Sequence, residues 1–389
     1  MGFFSRLCEA AFAAVVGLSV TSAIASDPAM PDRISGPHVH ENLAVYLVHG
    51  TSAPGPVPLT LQEAIAKDAV RVIETGSVNQ LEIENPGKKE VFVQAGDIVK
   101  GGKQDRVLTV SLLLPPGSGK IGIGAFCVEQ GRWAARGAEN VNRFASADQS
   151  LPSREAKLAM AKPAAPAVPA ATAGQLRQQS GNAAGLPRQQ MAGASDTSDR
   201  QRDIWDKVKQ TQDKLSVNLG ASVAAAQSRS SLQLSLESEQ LKQAQKAYVS
   251  ALQSVAGQQT DVVGLVIAVN GQLSSADIYP SNGLFQKMWA KQLNASVTEA
   301  ITEKSGGEKP GKKQATQTPG GTPPSATETP AVPDLAAVKA FLTAAEQGKA
   351  SQKMVGGRMK LETRDAEKAL LVEAASPGGG FVHRSYLAK

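Results

Sequence analysis

The sequence is short of the side chains that most often carry chemistry. It holds two cysteines, four histidines, three tryptophans, four tyrosines and nine phenylalanines in 389 residues. With so few aromatics and with charges dispersed along the chain, no basic patch interleaved with stacking rings is present, which excludes a nucleic-acid footprint. Phosphate-cradling motifs are missing too. Gly117-Ser118-Gly119-Lys120 lacks the upstream glycine of a Walker loop, and Gly122-Ile123-Gly124 is not completed by a third glycine. No G-x-S-x-G occurs, and His49 and His383 fall in ordinary strand contexts. His38 and His40 share a strand face but have no third ligand at a telling distance, so neither a metal nor a cofactor is expected.

What is present reads as a soluble, exported chain. Apolar residues make up 41% and charged residues 20%, values that suit neither a disordered solvating chain nor a multispan membrane protein. Arg6 precedes an uncharged run from Ala10 to Ile24, and Ala23-Ile24-Ala25 before Ser26 has the form a signal peptidase reads. Residues 1–25 are therefore expected to be a cleaved signal, with the mature protein periplasmic or extracellular and not inserted in a membrane. The run is shorter than the roughly 20 residues a spanning helix needs. Cleavage leaves Cys127 as the one cysteine, without an intramolecular partner, and its apolar surroundings predict a buried thiol. The net charge of +6 bears on solubility and nonspecific attraction to anions.

Two segments, 161–200 and 304–333, are rich in Ala, Pro, Gln, Gly and Thr and read as disordered loops. They interrupt what the pattern predicts to be one domain over 38–389. Short β-branched or alternating runs at 40–48, 70–74, 78–84, 90–94, 107–114 and 120–128 predict strands, punctuated by Asn85-Pro86-Gly87 and Pro115-Pro116-Gly117, with a short helix at 59–67. Connections this short favour antiparallel pairing. Helical spacing of Ile204, Trp205, Val208, Leu215 and Leu219, and again of Leu232, Leu236, Leu241, Tyr248 and Leu252, predicts two amphipathic helices. Asn270-Gly271 between 261–269 and 272–279 signals a hairpin, and a helix carrying Leu284 to Leu293 follows. The carboxyl-terminal block reads as a helix and strands at 352–361, 367–373 and 381–387. The expected class is α+β, an antiparallel sheet or sandwich with inserted helices.

Chemistry concentrates in two polar clusters. The first runs from Gly96 through Gly101-Gly102-Lys103-Gln104-Asp105-Arg106, and the second is Cys127-Val128-Glu129-Gln130-Gly131-Arg132-Trp133. A hairpin between 107–114 and 120–128 would bring them together. One reading is an ion pair, Arg106 or Lys103 with Glu129, closing a sheet edge under a Trp133 cap. The other is a ligand site built from Gly101, Gly102, Lys103, Gln104, Arg106, Glu129, Arg132 and Trp133, with Arg106 and Arg132 gripping an anion, Trp133 stacking, and Glu129 or Asp105 available as a general base.

These two motifs resemble the ARG and rhodanese-phosphatase superfamily-associated protein domain, where ARG denotes ADP-ribosylglycohydrolase. Asp203-Ile204-Trp205, Val263-Gly264, Asn270-Gly271, Asp277-Ile278-Tyr279, Leu284 to Trp289 and His383-Arg384-Ser385-Tyr386 extend the likeness over most of 38–389. The resemblance implies a role near ADP-ribose or phosphorylated nucleotides but brings no established reaction or catalytic residues. The family pattern has Asn where this chain has Asp105, which sets a negative charge beside the anion site. Three functions follow as expectations: a noncatalytic exported module binding an anionic small molecule, glycan or protein partner; a hydrolase of an ADP-ribose-like or other phosphorylated substrate; or a structural envelope protein.

Overall fold

The computed structural model describes residues 33–137, 139–162, 188–257, 259–304, 331–355 and 359–389, and the backbone alone over 188–196. The expected signal segment and residues 163–187 and 305–330 of the two expected loops lie outside the described residues.

Antiparallel sheet dominates, as the strand signals predict. The larger sheet has eight strands in the order β1 (Arg33–His40), β2 (Leu43–His49), β12 (Val262–Val269), β13 (Gln272–Ile278), β17 (Phe381–Ala388), β16 (Ala369–Ala375), β15 (Met359–Asp365) and β14 (Lys349–Val355). It draws on both ends and the middle of the described chain. A six-stranded sheet is ordered β11 (Phe144–Ser150), β7 (Asp97–Gly101), β8 (Arg106–Leu108), β10 (Lys120–Cys127), β5 (Gln80–Glu84) and β4 (Arg71–Ser77). A small third sheet joins β3 (Leu59–Thr60), β6 (Val91–Val93) and β9 (Leu112–Leu114), with β3 and β6 parallel. The run 107–114 is thus two strands in two sheets, because Thr109 to Ser111 leave the ladder between them. The run 352–361 likewise spans two paired strands, β14 and β15.

Strand β2 shows why period two matters here. Leu43, Val45 and Leu47 face the principal core, while Ala44, Tyr46 and Val48 face a second core beneath the helix Leu335–Glu346. Both faces are covered, so the strand reads as continuously apolar. The hairpin β12–β13 turns at Asn270 (φ 52°) and Gly271 (φ 73°), the two positive values a type I′ turn requires.

Seven helices lie among the described residues: α1 (Leu61–Ala66), α2 (Arg154–Ala161), α3 (Arg188–Leu219), α4 (Leu232–Leu236), α5 (Glu239–Leu252), α6 (Asn282–Thr302) and α7 (Leu335–Glu346). Helix α3 corrects the loop expected over 161–200, since 188–200 is helical and Gln201 exchanges two hydrogen bonds with the Cys127 backbone. Val332 packs on the second core, so the loop expected over 304–333 ends before it. The helix expected around 232–252 is broken into α4 and α5 at Glu237-Ser238, which end one helix and cap the next.

Helix α6 starts at Ser281, whose hydroxyl accepts from the Leu284 N–H. It is buried almost all round, and its polar side chains therefore need internal partners. Lys291 pairs with Asp97, Thr298 donates to Gln149, and Ser274 donates to Glu299 at 2.6 Å. Burial pushes the Glu299 carboxyl up from its ordinary 4.5 to about 6, against the charge of Lys157 and the Ser274 hydrogen bond. A raised carboxyl holds its proton better folded than unfolded, so this group's contribution is present below its unfolded value and is lost as pH rises through 6. Glu299→Gln should flatten the stability profile between pH 4.5 and 6 and gain on the order of 2 kcal/mol at pH 8, read by urea titration across pH.

Candidate functional site

The two polar clusters do meet, as the sequence suggests. Strand β8 pairs with β10 through Cys127↔Arg106 and with β7 through Val99↔Arg106, so Asp105 and Glu129 leave neighbouring strand ends side by side. Gly101 (φ 116°) and Gly102 (φ 56°) make the turn possible, and a Cβ on Gly101 would stand 2.8 Å from the Arg143 carbonyl oxygen. The Gly101 N–H donates to Asp105 Oδ1 at 2.9 Å, and the Asp105 N–H donates to Glu129 Oε2 at 3.1 Å.

Both carboxylates are fully buried and are met by two arginines. Arg132 Nη2 lies 2.7 Å from Glu129 Oε2 and 3.5 Å from Asp105 Oδ1, while its guanidinium also donates to the Gly101 and Gly102 carbonyls. Arg136 reaches Asp105 Oδ2 at 3.0 Å, Glu129 Oε1 at 3.2 Å and Glu139 Oε1 at 2.8 Å. Ser231 adds its hydroxyl to Asp105 Oδ2 at 2.8 Å while capping α4. Burial and the charge of Glu129 push the Asp105 carboxyl up despite Arg136 and the Gly101 amide. Burial acts on Glu129 in the same sense, but Arg132, Ser228 and the Asp105 amide outweigh it and hold Glu129 below the usual range.

The remaining expected residues sit around this knot. Arg106 is fully buried, donates to Gln104 Oε1 at 3.1 Å, and faces Glu74 rather than Glu129, at 3.9 Å. Burial lowers its pKa. Gln104 donates to the Glu129 carbonyl. Trp133, 44% exposed, lies over Lys103 Nζ at 5.0 Å and Arg106 Cζ at 5.7 Å. The groups expected to grip and stack on a ligand thus hold one another and the protein's own carboxylates. Arg136 and Ser231 are not among the expected residues: Arg136, seven residues after Glu129, has a signal in its nearness along the chain, whereas Ser231 carries no local signal. Cys127 is buried, and burial raises its thiol pKa.

Open space lies elsewhere, in a cavity of about 610 Å³ lined by neither polar cluster. It is bounded by β10, β13, β14, β15, β16 and β17 together with α2 and α3. Four cations line it, Lys157, Lys162, Arg200 and Lys353, against the single carboxylate of Asp277. Arg200 is fixed by donation to the Lys162 carbonyl and by the Phe126 ring, 5.4 Å from its Cζ.

Two further lining residues align with Asp277. Ser111 Oγ stands 2.9 Å from His383 Nδ1, and His383 Nε2 stands 3.1 Å from Asp277 Oδ1, within ion-pair range though off the axis of a hydrogen bond. The Ala95 N–H donates to Ser111 Oγ at 2.9 Å, which leaves the hydroxyl proton for the imidazole. Phe92 and Tyr279 confine the ring, with centroids 5.9 and 5.1 Å away. Burial raises the Asp277 carboxyl, but His383, Lys157 and the Ser385 hydroxyl outweigh it and keep the group below the usual range.

A family model matches residues 33–387, spanning both clusters and the whole cavity lining. The chain belongs to the ARG and rhodanese-phosphatase-superfamily-associated protein domain family. No curated protein and no solved structure matches it. Within this family member, no helix among the described residues is long and apolar enough to cross a membrane, and no group of three His, Cys, Asp or Glu among them could hold a metal ion.

Proposed function

We propose that the protein is an exported binding module for an anionic small molecule, held in the cavity between the two larger sheets. One observation carries the binding half: Lys157, Lys353, Arg200 and Lys162, the last paired with Asp203 at 3.1 Å, line a space of about 610 Å³ whose one lining carboxylate, Asp277, faces an imidazole. The volume suits a single small ligand. The arginine–carboxylate knot does not compete for this role, because an anion entering it would have to displace Glu129 from Arg132, or Asp105 and Glu129 from Arg136. The export half rests on the leader-like sequence of residues 1–25.

A thermal-shift screen against inorganic phosphate, nucleotides, ADP-ribose, sugar phosphates and dicarboxylates tests the binding half. A ligand at a hundred times its dissociation constant adds about 2.7 kcal/mol to stability. The shift should vanish in Lys157→Ala and survive in Trp133→Ala. The opposite pattern would return the site to the Lys103–Trp133 surface. Native protein recovered outside the cytoplasm with Ser26 at its amino terminus supports export, and cytoplasmic protein retaining Met1 overturns it.

A further inference from the structure

We infer that Ser111, His383 and Asp277 form a nucleophile, base and positioning residue for hydrolysis of a carboxylic ester that carries an anionic group. The anionic part rests on the binding proposal above. The array stands on its own geometry.

Asp277 is ionised and can only accept, so it draws the imidazole proton to Nε2 and leaves Nδ1 with a free lone pair facing Ser111 Oγ at 2.9 Å. That is the arrangement an activated serine needs: a hydroxyl that donates to a ring nitrogen whose opposite nitrogen is fixed by a carboxylate. The Nε2 contact is imperfectly aligned here, as such contacts commonly are before substrate tightens them. His383 comes from β17, Asp277 from its neighbour β13, and Ser111 from the link between β8 and β9. The three residues are at most 5% exposed, yet all three line the cavity, which keeps bulk water from the reacting atoms while leaving a route for substrate.

In the first step Ser111 Oγ attacks the ester carbonyl carbon as its proton passes to His383 Nδ1. The C–O bond to the alcohol then breaks, and the leaving oxygen takes the proton from Nδ1. Water repeats the sequence: its oxygen adds to the acyl carbon, its proton goes to Nδ1, and Ser111 leaves with that proton restored. The sum is ester plus water to carboxylic acid plus alcohol, with the electron count unchanged. Lys157 and the Gln94 amide line the same cavity and can donate to a developing oxyanion.

The test uses the full native protein and a small fluorophosphonate, which phosphonylates an activated serine with loss of fluoride. Mass spectrometry should place the adduct on Ser111. A p-nitrophenyl ester bearing a free carboxylate should be hydrolysed roughly tenfold faster than its neutral counterpart, the ratio expected of one well-placed charge contact. Ser111→Ala should abolish labelling and turnover, and His383→Gln should cost about 10²–10⁴-fold in kcat. Asp277→Asn, which offers a donor where the ring needs an acceptor, should lower kcat and the labelling rate while KM and the phosphate-induced thermal shift hold. An unlabelled Ser111, or hydrolysis unchanged in Ser111→Ala, overturns the inference. If the phosphate shift persists with Ser111 unreactive, binding stands and catalysis falls. Ser111-dependent hydrolysis without preference for the anionic ester means that the array stands and the anion site falls.

Discussion

Arg136→Leu is expected to cost about 3–5 kcal/mol of folding stability, the usual penalty for stranding buried charge. Arg136 is the shared partner of Asp105 and Glu129, at 3.0 and 3.2 Å, and both carboxylates are fully buried. Without it, Arg132 alone would face two acids. Burial disfavours the Arg136 charge, but the hydrogen bonds to Asp105 and Glu139 and the charge of Glu129 outweigh it and hold the guanidinium protonated. Urea unfolding at pH 7 measures the loss. Combining Arg136→Leu with Asp105→Asn should recover part of it, because the surviving pair, Arg132 and Glu129, is then matched in charge. The signs of the two carboxyl shifts add a pH signature. Glu129 is depressed, so its stabilisation is present above its unfolded range and is lost as pH falls through its folded value; Asp105 is raised, so its ionisation works against folding as pH rises through its folded value. The Arg136→Leu deficit should therefore shrink in mild acid. A deficit below about 1 kcal/mol at pH 7 would mean that water reaches the knot and screens it.

Lys291→Met should produce a loss of similar size, about 3–5 kcal/mol, at a separate place. Lys291 Nζ lies 2.5 Å from Asp97 Oδ1, and both side chains are at most 5% exposed. Asp97 Oδ2 accepts from the Gln94 N–H, and the Gln94 carbonyl oxygen Oε1 accepts from Tyr279, so an uncompensated Asp97 charge disturbs a chain that leads to the cavity wall. The double variant Asp97→Asn with Lys291→Met removes both charges and should regain most of the stability, measured by calorimetry. A double variant no more stable than the single would show that the packing of the Lys291 stem, not its charge, is what α6 needs.

Local signals in the sequence locate elements well and sheets less well. The Asn270-Gly271 turn, the apolar strand before it and the helix carrying Leu284 to Leu293 each depend on residues within a few positions, and each is found where expected. Between Arg188 and Ile204 helix α3 carries Met191 as its one large apolar residue, so its first turns carry no period and the region reads as loop. Val107 to Leu114 sets Thr109 and Ser111 among apolar residues in the alternation a single strand would show, and nothing in it reveals that Thr109 to Ser111 divide two sheets. The convergence of Asp105 with Glu129 is legible because one short strand pairing produces it. The alignment of Ser111 with His383 is not, because 272 residues separate them and no motif marks either.

That separation has a consequence for the order in which the protein is made. Strand β17 follows every other described strand in chain order and so emerges after them during synthesis, yet it sits inside the larger sheet, between β13 and β16. Until it docks, β1, β2, β12 and β13 end in an open edge, and β14, β15 and β16 form a separate flap with another. A nascent chain therefore exposes two unsatisfied strand edges and has no imidazole opposite Ser111, so it is both prone to wrong pairing and chemically silent. Only a chain that includes β17, in one late closure joining strands from Arg33 to Ala388, buries these edges and assembles the cavity.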